Sequence, residues 1–289
     1  MINIIDSHIH FWAKGSAQTA WMDLEPYASD PQYNLLRHDF LSQDLDLILN
    51  KLGIAQAIIV EAIDDDIENI AMLAAADDNP RIAAIVGWLP LLDRQKLTEK
   101  LAHYAKFPKF RAIRHLINTE PDADWILNPI VIENLRLAAE IGLASDYIGL
   151  THEHLKNLPK LASQLPGLTI ILDHLNSPPI ASGDLEQWSK NLAAAAACPN
   201  VYAKISGLDN AADWDNWKFE DLATPLEHEF DCFGSARLMY GSNWPVTNLS
   251  GGYEKYWSAI NQWLDGHDAI DRTNILQTTA QKAYKLYNH

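Results

Sequence analysis

The sequence predicts an α/β protein folded as a (β/α)8 barrel. Three observations carry that expectation. Short runs of Ile, Val, Leu and Ala alternate with longer stretches of helical periodicity through all 289 residues. Strands alternating with helices imply a parallel sheet, because a parallel pair needs a crossover between its strands. Eight such units fill a closed barrel, for which ~250 residues is typical. No Gly-rich phosphate loop follows any strand, so an open nucleotide-binding sheet is the weaker reading.

Ile4-Ile5 leads into the first strand and into Asp6-Ser7-His8-Ile9-His10-Phe11-Trp12. Residues 14–43 are irregular but carry Trp21, Tyr27 and Tyr33, which favours an ordered lid over a disordered loop. Asp44 to Leu52 reads as a helix with Leu45, Ile48, Leu49 and Leu52 on one face, stopped by Gly53. Ala57–Ala62 is the second strand, Asp66 to Asp78 a helix, and Ile82–Trp88 the third strand. Leu97 to Phe107 is helical, and Phe110–Leu116 is the fourth strand. Asn128 to Ile141 is a helix with Pro129 in its first turn. Leu143 to Ile148 is a weaker fifth strand, followed by a helix from His152 to Leu165. Leu168–His174 is the sixth strand, Leu185 to Ala197 a helix, and Asn200–Gly207 the seventh strand. A Trp-rich loop and a helix near Leu222 to Phe230 lead to the eighth strand, Arg237–Trp244. Helices near Tyr253 to Leu264 and Ile270 to Tyr287 finish the chain. There is no composition break, linker or repeat beyond the βα unit, so residues 1–289 form a single TIM-barrel domain.

Composition narrows the function. The 22 basic and 38 acidic residues leave a net charge of −16. Nucleic acid and anionic membranes need a basic footprint and are poor partners for such a chain. A small-molecule substrate is the expected partner, and oligomeric state is not legible. Cys198 and Cys232 form no C-x-x-C pattern and read as reduced thiols. With no signal-like segment and no run of ~20 apolar residues, the expected location is cytoplasmic.

Catalytic groups of this fold stand at the C-terminal ends of the strands. Those ends carry His8 and His10, Glu61, Trp88, Arg111 with Arg114 and His115, Asp146 with Tyr147, Asp173 with His174, Lys204 with Ser206, and Ser242 with Asn243. Alternate side chains of a strand share a face, so His8 and His10 point together. Two imidazoles so placed can hold a metal, or a substrate and a water. Each group alone has a structural alternative: Arg111 and Arg114 as ion pairs, Lys204 as a buried partner of an acid, and Tyr147 as packing.

The opening Asp6-Ser7-His8-Ile9-His10-Phe11-Trp12 resembles the D-x-H-x-H-x-W start of the amidohydrolase superfamily. Its lactonase-like branch, the group of L-fuconolactonase, L-rhamnono-lactonase and 2-pyrone-4,6-dicarboxylate lactonase, is the most similar. Val86-Gly87-Trp88, Phe110–His115, Ile171–Leu175 with Pro178-Pro179, Lys204–Leu208 and Met239–Val246 resemble that branch's later strands, in the same order. The resemblance implies a lactone hydrolase, with His8, His10, His174 and the strand-8 residue lining the site. The same three histidines would be the ligands of a divalent metal such as zinc, although the site could also be metal-independent.

The family normally has an aspartate where this chain has Asn243. An amide cannot serve as a general base near neutral pH, although it can orient a water. Glu61, His10 or His174 could then take the proton. A zinc-activated water is a second possibility, and a weakly catalytic, ligand-binding relative a third. Arg111, Arg114 and His115 are expected to contact substrate, with Trp12, Trp21, Trp88 and Trp244 offering flat faces to a sugar ring. The leading expectation is hydrolysis of an aldonolactone such as fucono- or rhamnono-lactone. The alternative on the same scaffold is a metal-dependent decarboxylase of an unsaturated or aromatic acid.

Overall fold

The structure is a computed structural model that describes residues 2–286. Eight parallel strands lie side by side in chain order: β1 (Ile5–Ile9), β2 (Gln56–Val60), β3 (Ile82–Gly87), β4 (Phe110–Ile113), β5 (Ala144–Tyr147), β6 (Ile170–Leu172), β7 (Val201–Ile205) and β8 (Leu238–Tyr240). Helices α1 (Ser42–Leu52), α2 (Asp66–Asp78), α3 (Arg94–Tyr104), α4 (Pro129–Glu140), α5 (His152–Gln164), α6 (Glu186–Ala196), α7 (Phe219–Phe233) and α8 (Tyr253–Leu264) follow the strands in turn. This is the expected (β/α)8 barrel. Helix starts follow local chemistry: Asp65 and Asn128 accept from the backbone N–H two residues on, and Asp93 from the one three residues on.

Small and branched side chains fill the barrel. Ile58, Val60, Ala84, Val86, Ala112, Ala144 and Ile171 face one another inside it. A larger layer of apolar residues joins the outer faces of the strands to the helices. The final helical segment inserts Ala280, Ala283 and Tyr284 into the inner cluster.

The barrel closes by a seam between β1 and the residues after β8. Ile9 bridges Trp244, His10 N–H donates to the Trp244 carbonyl at 2.7 Å, and Asn243 N–H donates to the His8 carbonyl at 2.9 Å. The buried Asp6 carboxylate pins this seam. It accepts from His8 N–H at 3.0 Å, Ser242 N–H at 2.9 Å and the Tyr253 hydroxyl at 2.6 Å. An Asp in an apolar strand is costly, and three donors offset that cost.

Some boundaries differ from expectation. Strands β4 and β6 stop at Ile113 and Leu172, short of Arg114 and His174. Their polar ends leave the ladder to build the mouth of the barrel. Helix α3 begins a turn early at the Asp93 cap. The last expected helix is divided into α9 (Ala269–Thr273), a π turn (Asn274–Thr278) and α10 (Thr279–Ala283), and its expected end at Tyr287 lies outside the described residues. No described helix is long and apolar enough to cross a membrane.

Replacing Asp6 by Ala strands three donors at the seam. Urea unfolding should show a loss of about 3 kcal/mol. An unchanged midpoint would mean that the seam holds without the carboxylate.

Candidate active site

The strand-1 histidines lie side by side, with Nε2 of His8 3.2 Å from Nε2 of His10. The hydrogen bonds around them assign their protons. His10 Nδ1–H donates to the Val60 carbonyl at 2.8 Å, which leaves a lone pair on Nε2. Lys204 Nζ donates to His8 Nδ1 at 3.1 Å, so the His8 proton sits on Nε2 and points at His10. Burial holds both rings neutral: it drives His10 down to about 3 and pushes His8 well below its ordinary value, with Lys204 adding to the shift at His8.

Beneath them lies a lattice of buried charge. Arg114 donates to Glu61 through Nε at 2.7 Å and to Asp173 through Nη1 at 2.9 Å. Lys204 is fully buried, 2.5 Å from Asp146 and 2.9 Å from Asp173. Tyr284 donates to Asp146 at 2.9 Å from below. Burial alone would raise Asp173, but Lys204 and Arg114 hold it well below the usual carboxylate range. Burial raises Glu61, partly offset by Arg114. Burial likewise lifts Asp146 to about 6 against the pull of Lys204.

His174 follows β6 in a left-handed conformation, and the next three residues share it. Backbone strain of this kind concentrates at functional sites. The imidazole is wedged in place: Nδ1 lies 2.8 Å from the Ser206 hydroxyl, and the ring centre lies 4.4 Å from that of His8. Gly207, at φ +63°, leaves room for it, since a Cβ there would stand 2.8 Å from His174 Nδ1. Burial lowers His174 to about 4, although Asp173 pulls it upward.

Above this floor opens a cavity of about 340 Å³. His10, Arg114, His174 and Asn243 form its base. Trp12, Trp21, Tyr33 and Trp214 wall one side, and Ile148, Leu150, Val246 and Leu249 add apolar surface. Asn118, Ser177 and Asn210 supply polar contacts. The expected lid is ordered. Trp12 and Phe40 exchange backbone hydrogen bonds at its root, and Trp21, Tyr27, Tyr33 and Trp214 pack edge to face.

Several expected contacts are placed elsewhere. Arg111 is a correction: Ala112 faces the barrel interior, so Arg111, one residue away, faces out and does not reach the cavity. His115 is another, held by Glu120 at 2.7 Å and Asp64 at 3.1 Å and stacked on Trp125. Trp88 donates to His115 at 3.2 Å beside that stack. Trp244 is buried against Phe11 and Phe40. Glu61 and His8 are fully buried beneath the lining rather than part of it. Lys204 does pair with acids, and Tyr147 does pack, its hydroxyl donating to the His154 carbonyl. The lining residues missed from sequence are Asn118, Ser177, Asn210 and Trp214, all on connections above the strand ends. Their signal was only their place after a strand.

Among the described residues, one group could hold a metal ion: His8, Asp173 and His174, with one donor atom each within 4.8 Å of the others. Two neutral imidazoles and an ionised carboxylate are a suitable donor set, provided that His8 frees a nitrogen now shared with Lys204 or His10. Of the expected ligand trio, His8 and His174 belong to this group and His10 stands outside it, its Nε2 3.2 Å from that of His8. Asp173 shares its charge with Lys204, which already occupies one side of it.

Comparison with known proteins places this geometry in context. The Amidohydrolase family model matches residues 5–286. An L-fucono-1,5-lactonase of Burkholderia ambifaria is 34% identical over 87% of this chain and 83% of its own length. An L-fucono-1,5-lactonase of Burkholderia multivorans is 29% identical over 98% of this chain and 96% of its own. A crystal structure of an amidohydrolase from Burkholderia multivorans with bound zinc superposes with a TM-score of 0.91, at 28% identity, over 98% of this chain and 99% of that one.

Two substitutions test the floor. Gly207→Ala drives a methyl group into His174, and should cut turnover at least tenfold while destabilising the fold by about 1–3 kcal/mol. A fully active variant would remove His174 from the reaction. His10→Asn tests the protonation state. A folded-state value near 3, below the unfolded 6.5, means that the unfolded chain binds the extra proton between those limits. The wild type should therefore lose about 1.4 kcal/mol relative to His10→Asn for each pH unit below 6.5, read from urea midpoints at pH 7, 6 and 5. Parallel pH profiles would refute a buried neutral imidazole.

Proposed function

The chain belongs to the amidohydrolase family, and on that premise we propose that it hydrolyses a sugar-derived lactone such as fucono- or rhamnono-lactone, in carbohydrate metabolism. The observation that carries the reading is the pairing of an aromatic wall with a floor of neutral imidazoles and amides in one cavity. Aromatic faces suit the C–H faces of a sugar ring, and amides and hydroxyls suit its OH groups. The likeness to two L-fucono-1,5-lactonases supports the same substrate class. The free thiols of Cys198 and Cys232 fit a cytoplasmic enzyme.

In this reading the lactone lies against Trp12, Trp21 and Trp214, with its carbonyl toward His10 and His174. His174, neutral at pH 7, takes a proton from the attacking water. The water oxygen bonds to the carbonyl carbon, the ring C–O bond breaks, and His174 returns the proton to the departing ring oxygen. Asp173 lies beneath the imidazoles and stabilises the charge that forms on them. Arg114 fixes Asp173 and Glu61. Asn243 contributes a hydrogen bond and no base. A divalent ion held by His8, Asp173 and His174, zinc in our reading, would acidify the water when bound, and His174 would then serve as ligand in place of base.

A decarboxylase is the weaker reading. Arg114 is the one charged residue among those lining the cavity, and its guanidinium is already taken by Glu61 and Asp173, so an acid substrate finds no free cation. The decarboxylases among the solved structures share the fold alone.

A panel of aldonolactones in weakly buffered solution with a pH indicator tests the proposal. Acid release should appear with neutral sugar lactones and vanish in the His8→Ala/His10→Ala variant. Metal analysis of the same preparation reports occupancy. Thermal stabilisation by lactones without acid release would indicate a binding protein instead.

A further inference from the structure

Asn243 sits where a side chain could meet the attacking water, and its amide has a fixed direction. Its Nδ2 donates to Asn210 Oδ1 at 3.0 Å. The direction of Asn210 is itself determined twice over. Its Nδ2 donates to the Val246 carbonyl at 3.2 Å, and a carbonyl accepts only. It also donates to the Ser250 hydroxyl at 3.0 Å, whose own proton goes to Asp209 at 2.5 Å. Neither partner tolerates an oxygen in place of that nitrogen. Asn210 Oδ1 is therefore left for Asn243, and Asn243 must answer with its NH2. Its carbonyl oxygen accepts nothing from the described residues, and it is not among the sealed atoms that lack a partner. Asn243 lines the cavity beside His174, with Gly207 between their side chains.

We infer that Asn210 is a positioning residue: it turns the Asn243 carbonyl oxygen into the cavity, where it accepts one hydrogen of the attacking water and aims the water's lone pair. This rests on the proposed lactone hydrolysis and deepens it. A water held by two acceptors, His174 and Asn243, has its remaining lone pairs directed at the substrate. A carboxylate at position 243 would face the Asn210 oxygen, acceptor against acceptor, unless Asn210 turned and gave up Val246 and Ser250. The amide at 243 and the amide at 210 are thus matched to each other.

Three variants test the clasp. Asn210→Leu removes the acceptor, and kcat should fall about tenfold with KM changed less than threefold. Asn210→Asp keeps an oxygen toward Asn243 but sets its second oxygen against the Val246 carbonyl and Ser250, so it should not restore wild-type kcat. Asn243→Asp should lower kcat rather than raise it. Asn210→Leu with wild-type kcat and an unchanged melting temperature would overturn the inference, as would a faster Asn243→Asp. A second readout needs no substrate. The Asn243 side-chain amide signal in 15N NMR, assigned by its loss in Asn243→Asp, should carry one slowly exchanging proton in the wild type and none in Asn210→Leu. If no lactone is turned over, the proposed function fails while this signal still judges the clasp. Equal exchange in both proteins would refute it.

Discussion

The ion lattice of Glu61, Arg114, Asp173, Lys204 and Asp146 is the constraint on which the rest of the mouth depends. Five charged side chains lie at the centre of a barrel that is otherwise closed to water. Taking such groups out of water costs several kcal/mol each, so none is stable without its partners. The lattice joins β2, β4, β5, β6 and β7 through side chains rather than the backbone ladder. It also directs chemistry upward. The third contact of Lys204 falls on His8, which sets the proton of the His8–His10 pair, and Asp173 is the nearby anion for all three imidazoles. A group first read as possible filler, Lys204, thus links the core to the site.

Much of the fold was legible because its signals are local. Apolar runs bounded by Gly and Pro marked the strands, and Asn128 with Pro129 marked a helix start that depends only on near neighbours, whereas the equally local Asp93 cap was passed over. The His8–His10 pair was legible for the same reason, since a strand's pleat sets which residues share a face. Where the strand ended early, that rule failed. Arg111 and Arg114 lie three apart on one segment, yet only Arg114 enters the barrel, and His115 follows a turn that periodicity does not predict. Trp88 and Trp244 could not be told from Trp12 and Trp21 by type, because an indole suits a core and a cavity wall equally.

The polar contacts of the cavity were harder still. Asn118, Ser177 and Asn210 lie on connections whose paths are set by tertiary packing, and nothing in their local sequence marks them. Asn243 illustrates the difference. Its identity was visible as a departure from the family pattern, but the direction of its amide depends on Asn210 and Asp209, which lie on the connection after β7, and on how that connection meets Val246 and Ser250.

The absence of a free cation among the described cavity-lining residues has a consequence for the end of the catalytic cycle. Ring opening turns an uncharged ligand into a carboxylate, inside a chain that carries −16 overall. Arg114 is already matched by two acids, and the imidazoles at the floor are neutral. The newly formed anion finds no counter-charge among the side chains there and gains hydration only by leaving. In the proposed reaction the side chains of the cavity therefore hold the product less well than the uncharged lactone, and the charge created by hydrolysis favours release from them.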